Sequence, residues 1–129
     1  MIVVDSSVWI DLLRDADTPQ VVRLNALLES ELLLFGDLVL CEVLRGARNE
    51  GDAVRISERL SVLTPVNMVG VEVAESAALN YRKLRARGVT IRNTVDLLIG
   101  TFCIANGHQL LHSDRDFKPM VEHLGLEEA

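Results

Sequence analysis

Asp5, Glu42, Asp96 and Asp114, with Asp116 close behind, are the residues of this 129-residue chain whose type and setting could do chemistry. Asp5 follows the apolar run Ile2-Val3-Val4, and Asp114 follows Gln109-Leu110-Leu111-His112. If both runs are strands of an open parallel sheet, their acids stand where such sheets bind ligands, outside the carboxyl ends of the strands. Asp96 opens an apolar helical stretch, where its charge would meet the positive end of the helix. Taken singly, each has a plainer reading: Asp5 and Asp96 as helix caps or first-turn acids, Asp114 as a turn aspartate. Glu42 is harder to explain in that way. Its neighbours Leu38, Val39, Leu40, Cys41, Val43 and Leu44 make a helix apolar on nearly every side, which predicts burial. A buried carboxylate is costly without a partner. Arg45, one turn on, can supply one; otherwise Glu42 faces a cation or a polar pocket.

Convergence would give these acids a common purpose. Carboxylates about 4 Å apart repel by roughly 4 kcal/mol per pair at an effective dielectric near 20. A cluster of four therefore protonates, splays apart or binds a cation. Hard oxygen donors with few histidines nearby favour Mg²⁺ or Mn²⁺ over zinc. Such a site can orient an attacking water and neutralise charge on a phosphodiester.

The elements that must position the acids alternate in type. Ile2 to Val4 reads as a buried strand, since every position is apolar. Ser6 or Ser7 can cap a helix through Val8, Trp9, Leu12 and Leu13. Thr18-Pro19 starts a second helix, Leu32 to Phe35 forms a strand, and Asp37 caps the helix that carries Glu42 and ends at Gly46. A helix over 52–60, a strand over 62–66 and a helix over 71–87 follow. Thr94 can cap a helix running from Val95 to Ala105; then come the strand ending at His112 and a short terminal helix. Strands separated by helices, with no hairpin turn between them, predict an α/β domain with a parallel sheet covered on both faces. No repeat or linker divides residues 1–129, so one domain is expected.

Composition bounds the rest. The apolar share is 49% and no apolar run reaches the roughly 18 residues of a membrane span. Met1 runs at once into Ile-Val-Val-Asp without a basic leader, so a cytoplasmic protein is expected. Cys41 and Cys103 both lie in apolar helical contexts and read as free, buried thiols. The formal net charge of −6 argues against a nonspecific nucleic-acid binder. A basic series offsets it locally: Arg82, Lys83, Arg85, Arg87 and Arg92, with Arg45, Arg48, Arg115 and Lys118. This series is either a solvated face or a set of phosphate contacts. Asp11 reads as a solvated face residue, Trp9 as packing, His112 as a strand-end core histidine, and His108 and His123 as surface residues.

Four segments in register resemble the motifs of PIN-domain ribonucleases: Ile-Val-Val-Asp5-Ser-Ser-Val-Trp-Ile-Asp, Leu-Cys-Glu42-Val-Leu-Arg-Gly, Asn-Thr-Val-Asp96-Leu-Leu-Ile and His-Ser-Asp114-Arg-Asp-Phe. Their order, spacing and total length are similar to those of VapC toxins from type II toxin–antitoxin modules, over essentially the whole chain. The resemblance implies a PIN-like three-layer fold with a central parallel sheet of four to five strands and helices on both faces. It also implies a Mg²⁺-dependent endoribonuclease, with Mn²⁺ able to substitute, acting on transfer RNA or other structured RNA. Asp5 and Asp96 would be the principal metal ligands, Glu42 and Asp114 would complete the acidic quartet, and Asp116 would be a fifth acid. Ser7 matches the hydroxyl residue that hydrogen-bonds within such pockets, and Arg45, Arg92 and Arg115 are candidate substrate contacts. The implied partners are a VapB-like antitoxin, whose C-terminal helix lies in an apolar groove, and a second copy of the chain, within a larger assembly if both join. Ser6, Gly100 and Ser113 depart from the common Thr, Ala and Thr, and none removes a carboxylate. Two other classes compete. A non-catalytic PIN-like module would be expected to lack one or more pocket acids. A receiver-type phosphoacceptor would want an acidic pair after the first strand, where Ser6-Ser7 follow Asp5.

Overall fold

The computed structural model describes residues 1–129. Strand β1 (Ile2–Val4) is central to a four-stranded, wholly parallel sheet of order β2-β1-β3-β4, with β2 at Leu33–Leu34, β3 at Gln109–Leu111 and β4 at Glu127–Glu128. All three β1 side chains are buried. Successive strand residues point to opposite faces, so both faces of the sheet are covered. Seven helices do this: α1 (Ser6–Leu13), α2 (Pro19–Leu28), α3 (Asp37–Arg45), α4 (Glu50–Leu60), α5 (Gly70–Ala86), α6 (Thr94–Asn106) and α7 (Lys118–Leu124). Helix α1 packs on α2 and α3, and α3 on α4; α5 packs on α6 and α7. No helix is long and apolar enough to cross a membrane.

The register fixes where the acids emerge. Val4 pairs with Leu111, and Asp5 donates its backbone N–H to the Leu111 carbonyl at 2.9 Å. The two strands thus end side by side, one leading into Asp5 and the other into the Asp114 turn. Helix α6 stops at Gly107, whose φ of 68° lies in the left-handed region. Glycine adopts that conformation without the Cβ clash other residues suffer.

Several expectations differ from the structure. The strand expected over 62–66 is only one bridge, Gly36 to Val66. Val62 is 84% exposed, and the segment has no further strand partner. Strand β4 carries no apolar signal at all, being two exposed glutamates held by backbone pairing to β3. Asp5, not Ser6 or Ser7, caps α1; Asn93, not Thr94, caps α6; and Gly36 occupies the cap of α3, leaving Asp37 in its first turn. Cys41 is exposed, because α3 buries one face only; Cys103 is buried. Burial pushes the Cys103 thiol up to about 12, which leaves it inert as a nucleophile.

Gly100 has a packing reason. A Cβ there would lie 2.5 Å from both the sulfur and the terminal methyl of Met120, and Met120 is fully buried. Gly100→Ala is therefore expected to destabilise the fold by about 1–3 kcal/mol through overpacking. Shortening Met120 to valine in the same chain should recover part of the loss. Denaturant melts of the two single variants and the double variant check this coupling.

Candidate metal centre

Asp5 serves as helix cap and site acid at once. Its Oδ2 accepts from the Ser7 backbone N–H at 3.0 Å and from Ser7 Oγ at 2.6 Å. Ser7 Oγ in turn accepts from the Ser113 N–H at 3.2 Å, tying the start of α1 to the loop after β3. The other oxygen, Oδ1, is buried and has no hydrogen-bond partner. Glu42 reaches the same place from α3, which is amphipathic and buries Val39, Glu42 and Val43. Ser6 Oγ donates to Glu42 Oε1 at 3.1 Å. Arg45 Nη2 stands 3.9 Å from Oε2, with a side chain 74% exposed, so it makes a long, solvated ion pair that compensates little.

Asp96 lies in the first turn of α6, only 3% exposed, and its Oδ2 is also buried without a partner. Asp114 caps the 3-10 turn Arg115–Phe117, its Oδ1 accepting from the Asp116 N–H at 2.9 Å. The structure brings the acids together in two groups that share Asp96. Oxygens of Asp5, Glu42 and Asp96 lie within 4.8 Å of one another, and so do those of Asp96, Asp114 and Asp116. The first group is wholly buried; the second grades outward to the exposed Asp116. Arg92 and Arg115 are exposed and form no ion pair.

The electrostatics follow from this crowding. Burial raises Asp5 above the usual carboxylate range, with the Asp114 charge adding to it. Burial also raises Glu42, helped by the charges of Asp5 and Asp114 and opposed by Ser6 and Arg45. Asp96 is pushed up to about 7, first by burial and then by the charges of Asp5, Asp114, Glu42 and Asp116. A divalent ion fits this arrangement. The donors are all hard carboxylate oxygens, and two buried ones lack any partner. Unsatisfied buried acceptors of this kind cost free energy unless a cation or donor meets them.

Two supporting groups had no clear sequence signal. Ser6 reads only as a candidate cap, yet it holds Glu42 across 36 positions. His112 is a strand-end histidine, as expected, but it also bonds to the acid-bearing loop: its Nδ1 accepts from the Asp114 N–H at 3.2 Å. His108 is half-buried rather than a surface residue, and burial lowers its pKa.

Comparison with known proteins places this geometry. The PIN domain family model matches residues 2–122. The chain is 27% identical over 131 aligned positions to VapC ribonuclease Mb1587 of Mycobacterium bovis and, equally, to ribonuclease VapC11 of Mycobacterium tuberculosis, covering all of this chain and 98% of each relative. Among solved structures, VapBC2 from Rickettsia felis bound to a DNA fragment from its promoter superposes with a TM-score of 0.78 at 19% identity, over 100% of this chain and 98% of that one. FitAcB from Neisseria gonorrhoeae gives 0.77 at 17% identity, over 99% and 96%. With its acids gathered where β1 and β3 end, and the family match running across nearly the whole length, this chain belongs to the PIN domain family.

Proposed function

We propose that this protein is the toxin of a type II toxin–antitoxin module, a Mg²⁺-dependent endoribonuclease that hydrolyses phosphodiesters of transfer RNA or other structured RNA in the cytoplasm. The observation that carries this reading is the buried Asp5–Glu42–Asp96 triad, with its two unpartnered oxygens, opening through Asp114 toward solvent. Asp5 and Asp96 would hold the ion most directly, and Glu42 and Asp114 would complete its shell, with Asp116 at the rim. A bound Mg²⁺, or Mn²⁺ in its place, supplies water activation and neutralises charge on the phosphodiester. Ser6 and Ser7 orient Glu42 and Asp5 by donating to one oxygen of each, and the other Asp5 oxygen has no partner. Arg45 beside Glu42, with the exposed Arg92 and Arg115, would hold RNA phosphates. The relatives named as ribonucleases support the activity.

The test is cleavage of total RNA by the purified protein with Mg²⁺, with Mn²⁺ and with excess EDTA. Cutting is expected with either ion and should vanish with EDTA. Full cutting in EDTA, or none under any condition, overturns the reading.

A partner groove supports the toxin assignment. Of the apolar residues on α1 and α2, Val21, Leu24 and Leu27 pack in the core. Between α1, α3 and α4 the structure has a cavity of about 590 Å³, with an aliphatic floor of Ile10, Leu13, Val43 and Ile56. Its rim carries Arg14, Arg48, Arg55 and Arg59 against one acid, Asp52. Asp52 is held below the usual carboxylate range by the Arg48 backbone N–H and by Arg48 and Arg55. Aliphatic floor and cationic rim suit an amphipathic antitoxin helix with acidic flanks; the floor has no aromatic ring on which a base could stack. Reversing Arg14 and Arg59 to glutamate is expected to weaken capture of a VapB-like antitoxin at least about tenfold, with RNA cleavage unchanged. Loss of cleavage with antitoxin capture intact would instead assign the groove to RNA. Exposed Val22 and Leu28 on α2, with Leu32 just before β2, offer a surface for the homodimer.

A further inference from the structure

We infer that His112 and Glu128 are positioning residues for the metal centre, holding the Asp114 carboxylate in place from the C-terminal strand. This rests on the reading of Asp114 as a ligand.

Three contacts hold the imidazole. Its Nδ1 accepts the Asp114 backbone N–H at 3.2 Å. With Nδ1 accepting, the ring proton sits on Nε2 and is donated to Glu128 Oε2 at 2.8 Å. The ring packs against Phe117 in a tilted arrangement, centroids 4.9 Å apart and planes at 52°. The His112 side chain is only 9% exposed, so it is fixed by packing as well as by bonding, whereas Glu128 is 54% exposed. Glu128 is itself placed by strand pairing, Leu110 to Glu128, and the following Ala129 N–H reaches the Leu110 carbonyl at 3.0 Å. The chain of contacts therefore runs from β4 through Glu128 and His112 to the backbone of Asp114. From there the Asp114 side chain closes on its own turn through the Asp116 N–H. Asp114 is the least buried of the four principal acids, and nothing in the turn itself fixes its N–H. A histidine whose tautomer is set by a carboxylate on one nitrogen is a rigid holder for whatever meets the other. Here that is a ligand's backbone rather than a metal.

The experiment separates the two nitrogens. His112→Leu removes both bonds; His112→Asn keeps an acceptor near the Nδ1 position; Glu128→Ala removes the far anchor, and Glu128→Gln keeps an acceptor there. Mn²⁺ binding is read by electron paramagnetic resonance, hydrogen exchange of the Asp114 amide by nuclear magnetic resonance, and folding by thermal melts. His112→Leu is expected to weaken Mn²⁺ binding about 10- to 100-fold and to speed Asp114 amide exchange. His112→Asn should recover most of both, Glu128→Ala should weaken binding a few-fold, and Glu128→Gln should behave as the parent. Parental Mn²⁺ binding by His112→Leu overturns the inference, as does an asparagine variant no better than leucine. If the parent protein itself bound no Mn²⁺, the metal reading would fall. The exchange rate of the Asp114 amide would still decide whether His112 holds that backbone.

Discussion

Asp96→Asn is expected to abolish metal-dependent RNA cleavage, by at least about 100-fold, since even indirect supports of a metal cost 10- to 100-fold when removed. The same substitution should stabilise the metal-free protein near neutral pH. Asp96 has an ordinary pKa of 3.8 but is held at about 7 in the fold, chiefly by burial. Across that window the folded state keeps a proton that the unfolded state has released. Its contribution to stability is therefore greatest in acid and declines as pH rises from about 4 to about 7. Asp5 and Glu42 shift in the same direction. Asparagine removes the charge and hence the decline. The melting temperature of Asp96→Asn minus that of the parent, both metal-free, should thus be larger at about pH 8 than at about pH 5. A divalent ion demands the ionised carboxylate, so its binding by the parent should release a proton below pH 7 and tighten as pH rises. Undiminished cleavage by the variant would remove Asp96 from the reaction. A melting difference independent of pH would remove it from the electrostatics.

Phe117→Ala should cost about 3–5 kcal/mol of fold stability, lowering the melting temperature by on the order of 10–20 °C. Phe117 is fully buried although it ends a three-residue turn at the surface. It is the anchor that seats that turn on the core, and its ring also supports His112. With the ring gone, Asp114 and Asp116 lose their footing, so cleavage at a temperature where the variant is still folded should fall as well. Phe117→Leu, which keeps most of the volume, should cost under about 1.5 kcal/mol. An alanine variant that melts within a few degrees of the parent would show that the turn is held by its own hydrogen bonds instead.

What the sequence made legible was whatever had a local cause. Ile2-Val3-Val4 is apolar at every position because both faces of its strand are covered, and helices that stop at glycine or start near asparagine or threonine declare their ends. The acids were legible for the same reason: Glu42 stands out against apolar neighbours, and Asp5 and Asp114 sit where strands stop. What stayed hidden depends on partners distant along the chain. Strand β4 exists because β3 lends it backbone bonds, and no property of Glu127 or Glu128 announces that. The segment 62–66 has the β-branched composition of a strand and lacks a neighbour to pair with beyond one bridge. Cys41 is exposed because α3 turns that face outward, a rotation that an almost uniformly apolar helix does not encode. Ser6 and His112 act across 36 and 16 positions, and no pattern within a helix or strand reports such contacts. The four acids also carry a family resemblance, which supplied the reaction class that charge and spacing alone left open.

The order of the sheet has a consequence for how the protein is made. The central strand is the first to be synthesised, yet one of its two neighbours is β3, more than a hundred residues later. The acids are spread along the chain in the same way, at positions 5, 42, 96 and 114. Until β3 has left the ribosome and paired with β1, Asp114 has no place beside Asp5, and the triad lacks its opening to solvent. A growing chain is accordingly unarmed until β3 and the Asp114 turn have emerged. Any activity that depends on the assembled acids switches on only after that pairing, which leaves an interval for a partner already made to be waiting.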